Sequence, residues 1–150
     1  MVVMYAFIIF LHVLAATVWT GGHLVLALTV LPRALRQRSP QVLLDFEQGY
    51  ERVGMPALLI QVLTGLWMAY AMVPDIGQWF SPDTPLARAI GLKLLLLLMT
   101  ALIAAHARLR VIPRLSATTL PLMAWHVAAV TVLSIGFVAV GVSFRLGGVG

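Results

Sequence analysis

Residues 5–31 read YAFIIFLHVLAATVWTGGHLVLALTVL, a run without a single Asp, Glu, Lys or Arg. About 20 such residues cross a bilayer core of about 30 Å, so this stretch is long enough to span and too apolar for a soluble surface. Three further stretches read the same way: residues 56–73, 86–107 and 121–144. Pro32, Pro56, Pro74, Pro85, Pro113 and Pro121 lie at or near their ends, where a missing N–H does least harm. The fold this predicts is all-α, an integral membrane four-helix bundle forming one domain over residues 1–150. Composition agrees, with 61% hydrophobic residues, 10% charged ones and a mean hydropathy of +1.01. A soluble domain of this size has no core large enough to hide that much apolar surface.

The connections complete the picture. Ser39-Pro40 is a helix start, an N-cap residue followed by proline at the first helical position. Beyond it Leu43, Phe46, Glu47 and Tyr50 fall at helical spacing among acids. This predicts a short amphipathic interfacial helix between the first and second spans, ending near Gly54 and Pro56. The second connection carries Trp79 and Phe80 beside Asp75 and Asp83, a composition suited to the headgroup level. The first span has no basic n-region and no small-residue cleavage site, so it reads as a retained helix, not a cleaved signal.

Charge gives an orientation. Arg33, Arg36, Arg38, Arg52, Arg108, Arg110 and Arg114 fall on one side of a four-span layout, against Arg88, Lys93 and Arg145 on the other. The positive-inside rule then puts both termini on the periplasmic side of a bacterial inner membrane. The pI of about 10.8 follows from arginines flanking spans and anionic lipid, so nucleic acid is not an expected partner. With no cysteine, thiolate metal sites, disulfides and cysteine nucleophiles are excluded. No carboxylate lies within the four spans as read, which argues against proton-coupled transport, hydrolysis and a di-iron site.

Ionisable groups inside spans are costly, about 2.5–3.5 kcal/mol each on insertion scales, and so mark candidate sites. They are His12, His23, His106, His126 and Lys93. Tyr5, His12, Trp19 and His23 are spaced so that all four lie on one stripe of the first helix, with Ala15 and Ala16 leaving that face open. Depth sorts the groups into two layers. His23, His126 and His106 fall in the arginine-rich half, and His12 with Lys93 in the other. Lys93 and His106 are about 140° apart around the third helix, whereas Arg88 shares a face with His106. Imidazoles on facing helices suit haem iron as axial ligands, or copper, for which Met68 and Met72 on the second span offer thioether sulfur. Methionine and histidine on helix faces are also ordinary packing residues, and His106 beside Arg108 and Arg110 suits a headgroup-level position.

Two motifs carry a family resemblance. Residues 11–22, LHVLAATVWTGG, resemble the first-helix signature of the CopD family of small membrane proteins, and are similar to the opening helix of the HemJ-type membrane protoporphyrinogen oxidases. Residues 91–94, GLKL, opening a leucine-rich helix that ends in Arg108-Leu109-Arg110, resemble the third-helix lysine signature of both. The HemJ resemblance implies catalytic roles for His12 and Lys93 and an association with haem b. The CopD resemblance implies copper movement across the inner membrane. His23 and His126 lie outside the shared signature. The leading expectation is therefore a protein of electron transfer or haem-linked oxidation. In it His23 and His126 hold haem b, or one of them does with His12 or His106, and Trp19 and Arg88 contribute to the cofactor site. A copper-binding transporter is the alternative. A third reading is a small structural subunit of a larger membrane complex or homo-oligomer.

Overall fold

The computed structural model describes residues 2–146, the side chain of Arg145 excepted. That arginine's place in the charge count, and residues 147–150, lie outside the described part. Four helices, α1 (Val2–Gln37), α2 (Pro40–Met72), α3 (Pro85–Arg114) and α4 (Leu120–Ser143), are each long and apolar enough to cross a membrane. No strand occurs among the described residues. The chain is a multi-pass, all-α membrane protein, and the loops 38–39 and 115–119 lie at one end, called here the arginine end.

Proline shapes the helices without ending them. Pro32 cannot donate to the carbonyl four residues back, and its ring crowds it. The turn before it widens accordingly to a π-turn, Leu26–Val30, closed by Leu31 N–H donating to the Leu26 carbonyl. The same device precedes Pro113, with a π-turn at Ala107–Val111 closed by Ile112 N–H on the Ala107 carbonyl. Both π-turns sit directly beyond a histidine-bearing stretch, at His23 and His106. The α1 helix closes with Arg38 in the left-handed region, φ 48°, and with Ser39 N–H donating to the Ala34 carbonyl at 3.0 Å.

Pro56 corrects one expectation. The segment after Pro40 is helical as read, but it is not a separate interfacial helix. It runs through Pro56 into the second span as one helix, Pro40–Met72. The interior proline forfeits one hydrogen bond and about 3 kcal/mol of helix preference. In lipid the other backbone groups have no partner outside the helix, so continuing it is the lower-energy course. The span-one partner also extends far enough to support α2 along its length.

Packing follows the order α2–α1–α4–α3. The α1 helix lies in the middle, against α2 on one side and α4 on the other, and α3 packs on α4. The α2 and α3 helices pack hardly at all on each other, leaving a cleft between them. Leu26, Leu31, Ala34, Leu43, Val111, Leu120, Met123 and Val127 form a buried core at the arginine end. A smaller cluster, Ala69, Val73, Trp79 and Ile90, closes the opposite end. Trp79 is packed inward, not displayed on the surface of the connection. It folds inward from the 3-10 turn Ile76–Phe80 and donates its indole N–H to the Val73 carbonyl at 2.8 Å, while Phe80 stays 73% exposed.

Candidate functional site

The stripe on α1 faces α2 throughout. Tyr5 meets Trp67 with ring centroids 5.8 Å apart, His12 Nδ1 lies 2.9 Å from Thr64 Oγ1, and Trp19 and His23 meet Tyr50 at 6.5 and 5.6 Å. Glycines make this approach close. A Cβ at Gly22 would lie 2.0 Å from the Tyr50 ring, one at Gly54 2.8 Å from it, and one at Gly65 3.1 Å from the His12 ring. Tyr50 is thus wedged between two helices, and its hydroxyl donates to the Trp19 carbonyl at 2.9 Å.

At the arginine end the four helices line an open-sided cavity of about 150 Å³. Trp19 and His23 line it from α1, Glu47, Tyr50, Glu51 and Met55 from α2, Arg108 from α3, and Met123 and His126 from α4. The cleft side is bridged by one ion pair, Arg108 to Glu51 at 2.7 Å. His23 is the buried polar group of this cavity, 9% exposed, with its ring 4.4 Å from that of Trp19.

Hydrogen bonding fixes which imidazole nitrogens carry protons, since a carbonyl only accepts. His23 Nδ1 is 2.9 Å from the Trp19 carbonyl and His126 Nδ1 is 2.8 Å from the Leu122 carbonyl, so each is an Nδ1–H donor. His126 Nε2 then presents a lone pair, which accepts from His106 Nδ1–H at 2.7 Å; the two rings stack at 5.0 Å. The Thr64 hydroxyl donates to the Ile60 carbonyl at 2.6 Å, so it accepts from His12 Nδ1–H. All four histidines are held by Nδ1, the arrangement typical of histidines that present Nε2 to a metal. On His23 that Nε2 has no side-chain or backbone partner among the described residues; on His126 it is taken by His106.

The opposite layer is built from His12, half-buried against Thr64 and Gly65, and Lys93. The Lys93 ammonium does not turn out to the lipid. It lies 4.9 Å from the centre of the Phe144 ring and 3.7 Å from where a Gly141 Cβ would be, within electrostatic reach of His12. Gln61 Oε1 in the same region of α2 is buried without a partner among the described residues. Arg88 is not in the arginine-end layer: its guanidinium donates to the Pro82 carbonyl at 2.9 Å, at the far end of α3. Met68 is half-buried and Met72 is 39% exposed, so the two do not form one inward stripe. The methionines at the cavity are Met55 and Met123.

A second span starting at Pro56 places no carboxylate in the cavity, whereas the helix runs through Pro56 from Pro40. With α2 continuous, Glu47, Tyr50, Glu51 and Gly54 form one helical face at spacings of three and four, a signal present in the sequence all along. Two of the haem pairings do not fit this geometry, while His23 and His126 share the lining of one small cavity. His106 and His126 are hydrogen-bonded to each other at 2.7 Å, too close to flank a macrocycle, and His12 belongs to the other layer. The void of about 150 Å³ is small beside the ~300–1,000 Å³ of ordinary cofactor pockets. Among the described residues no three His, Asp or Glu side chains gather as a metal cage. An ion taken up here would be held by fewer nitrogens with thioether sulfur.

No curated protein sequence and no solved structure matches the chain. A family model described as "Copper resistance protein D" matches residues 44–144, which takes in α3 with Lys93, α4 with His126, and all of α2 but its first turn. The first-helix stretch at residues 11–22 lies outside that match. With two-thirds of its length covered, from Leu44 to Phe144, the chain belongs to the copper resistance protein D family.

Proposed function

We propose that this protein handles copper ions as cargo within the membrane, taking them up in the arginine-end cavity on His23. One observation carries the reading: His23 is locked by Nδ1–H on the Trp19 carbonyl, and its free Nε2 belongs to a cavity that Met123 and Met55 also line. Imidazole with thioether is a donor set for soft Cu(I), and an ordered ligand with a backbone-anchored second nitrogen binds more tightly than a mobile one. Glu47 and Glu51 add negative charge at the cavity mouth, which favours entry of a cation, and Arg108 balances part of it. The family to which the chain belongs supports copper over haem. In this reading the arginine end faces the cytoplasm, by the positive-inside rule, and Val2 and Leu146 lie on the far side. The His12–Lys93 layer then stands about 16 Å from His23 along α1, at about 1.5 Å per residue, as a second station of the same path.

The test is a Cu(I) titration of the purified protein in detergent against a chromogenic chelator. His23→Ala should weaken Cu(I) binding at least tenfold, and Met123→Leu, which keeps the packing volume, several-fold. His12→Ala should alter the cavity's affinity little. Unchanged binding in His23→Ala removes the proposal. A Soret band in the freshly purified protein would reinstate haem.

A further inference from the structure

A second concavity at the arginine end has no part in this reading. It measures about 590 Å³ and is lined by His106, Arg110, Val111, Arg114, Thr119 and Leu122. It is formed by the widened end of α3, the turn that follows, and the first turn of α4. The π-turn at Ala107–Val111 and the 3-10 turn Ile112–Arg114 bring Arg110 and Arg114 to the same hollow, four positions apart. Neither guanidinium has an ion pair or hydrogen bond among the described residues, where the one ion pair is Arg108 with Glu51. The Thr119 side chain is held in the floor, accepting from Ser116 N–H at 2.8 Å. The start of the 24-residue helix α4 adds the positive end of its dipole.

We infer that this hollow is a binding site for a phosphate group, gripped by Arg110 and Arg114 with His106 on its wall. Guanidinium matches phosphate in geometry as well as charge, with two parallel N–H donors to two oxygens. Arg110 and Arg114 are both exposed and have no counter-ion among the described residues, so their guanidiniums are free to close on a ligand in that concave space. The same pocket touches the cavity indirectly. His106, on its wall, donates to His126, which lines the His23 cavity, so the two hollows share one hydrogen-bonded pair. The inference stands whether or not the cargo is copper.

Two sources can supply the phosphate, an anionic lipid headgroup or a soluble phosphate, and the experiment separates them. The purified full chain, stripped of lipid in a mild neutral detergent, is titrated with short-chain phosphatidylglycerol, with short-chain phosphatidylcholine, and with inorganic phosphate, following the thermal unfolding midpoint. Phosphatidylglycerol should saturate at a concentration at least tenfold below phosphatidylcholine if lipid is the source. Inorganic phosphate should saturate on its own if the source is soluble. In either case the double variant Arg110→Gln/Arg114→Gln should weaken binding tenfold or more, and Arg36→Gln, an exposed arginine at the same end outside the hollow, should leave it unchanged. Equal weakening by Arg36→Gln would reduce the effect to general surface charge and overturn the site. So would the absence of a saturable response to all three titrants in a wild-type protein that unfolds cooperatively.

Discussion

At the scale of single residues the contrast between Gly21 and Gly22 is the sharpest. A Cβ on Gly22 would sit 2.0 Å from the Tyr50 ring, whereas one on Gly21 meets nothing within 4 Å. Gly22→Ala should therefore destabilise the fold by about 1–3 kcal/mol through overpacking and displace Tyr50 from the Trp19 carbonyl. Gly21→Ala should be neutral or stabilising by up to about 1 kcal/mol, since glycine is a poor helix former. Thermal unfolding of the two variants in the same detergent checks both, and equal effects would mean Tyr50 is not wedged there. The α1 stripe was legible in the sequence at this scale, because seven- and four-residue spacings fix a helix face whatever it packs on. What it packs on was not legible. Glu47 and Tyr50 looked like residues of a surface helix until Pro56 proved to lie inside α2. Lys93 shows the other limit: its depth was readable, but its turn towards Phe144 and Gly141 depends on α4. Phe144→Leu should then cost about 0.5–2 kcal/mol, the worth of a cation–π contact, while Phe80→Leu, on an exposed ring in the outer connection, should cost nothing measurable.

At the scale of elements, proline has two effects here that the sequence alone does not distinguish. Pro32 and Pro113 are each preceded by a π-turn, whereas Pro56 sits in a helix that stays α throughout. A proline near a run of arginines and one near a run of acids look equally like boundaries in a sequence. The difference lies in the neighbouring helix: α2 is held against α1 from Tyr50 to Trp67, on both sides of the proline. If that support is what carries α2 through Pro56, then Pro56→Ala restores a backbone hydrogen bond with no change of course. It should raise stability, by up to the ~3 kcal/mol that interior proline costs a helix, and leave Cu(I) affinity within a factor of two. A loss of stability would show instead that Pro56 sets a bend on which the cavity depends. The Arg108–Glu51 bridge between α2 and α3 is a separate matter. Its side chains are 62% and 40% exposed, so Arg108→Gln should cost no more than about 1 kcal/mol, its effect showing in access to the cavity and not in the unfolding midpoint.

For the whole molecule, four spans were countable from apolar length alone, but their packing order was not. Lipid is as apolar as leucine, so no face of a membrane helix is marked as inward by hydrophobicity, and the order α2–α1–α4–α3 rests on small residues and hydrogen bonds that become visible only in three dimensions. Orientation is the opposite case, because it depends on charge counts and hardly on packing. At the arginine end stand Arg33, Arg36, Arg38, Arg52, Arg108, Arg110 and Arg114, and at the other Arg88 with an inward Lys93. Each arginine near an anionic surface is worth about 1 kcal/mol, so the asymmetry is far more than one substitution can reverse. Reporter insertions make this measurable. An insertion after Thr118, in the α3–α4 turn, should behave as cytoplasmic, and one after Gly77, in the α2–α3 connection, as external. Changing Arg33, Arg36 and Arg38 to Gln should leave both results intact, because Arg110 and Arg114 still hold the second turn. Changing all five while placing three lysines in the 75–84 connection should give mixed insertion. Arg108 is left alone throughout, since it pairs with Glu51 and its loss would confuse topology with packing. A wild-type Thr118 insertion that reads as external would invert the whole arrangement, and with it the side from which the His23 cavity is reached.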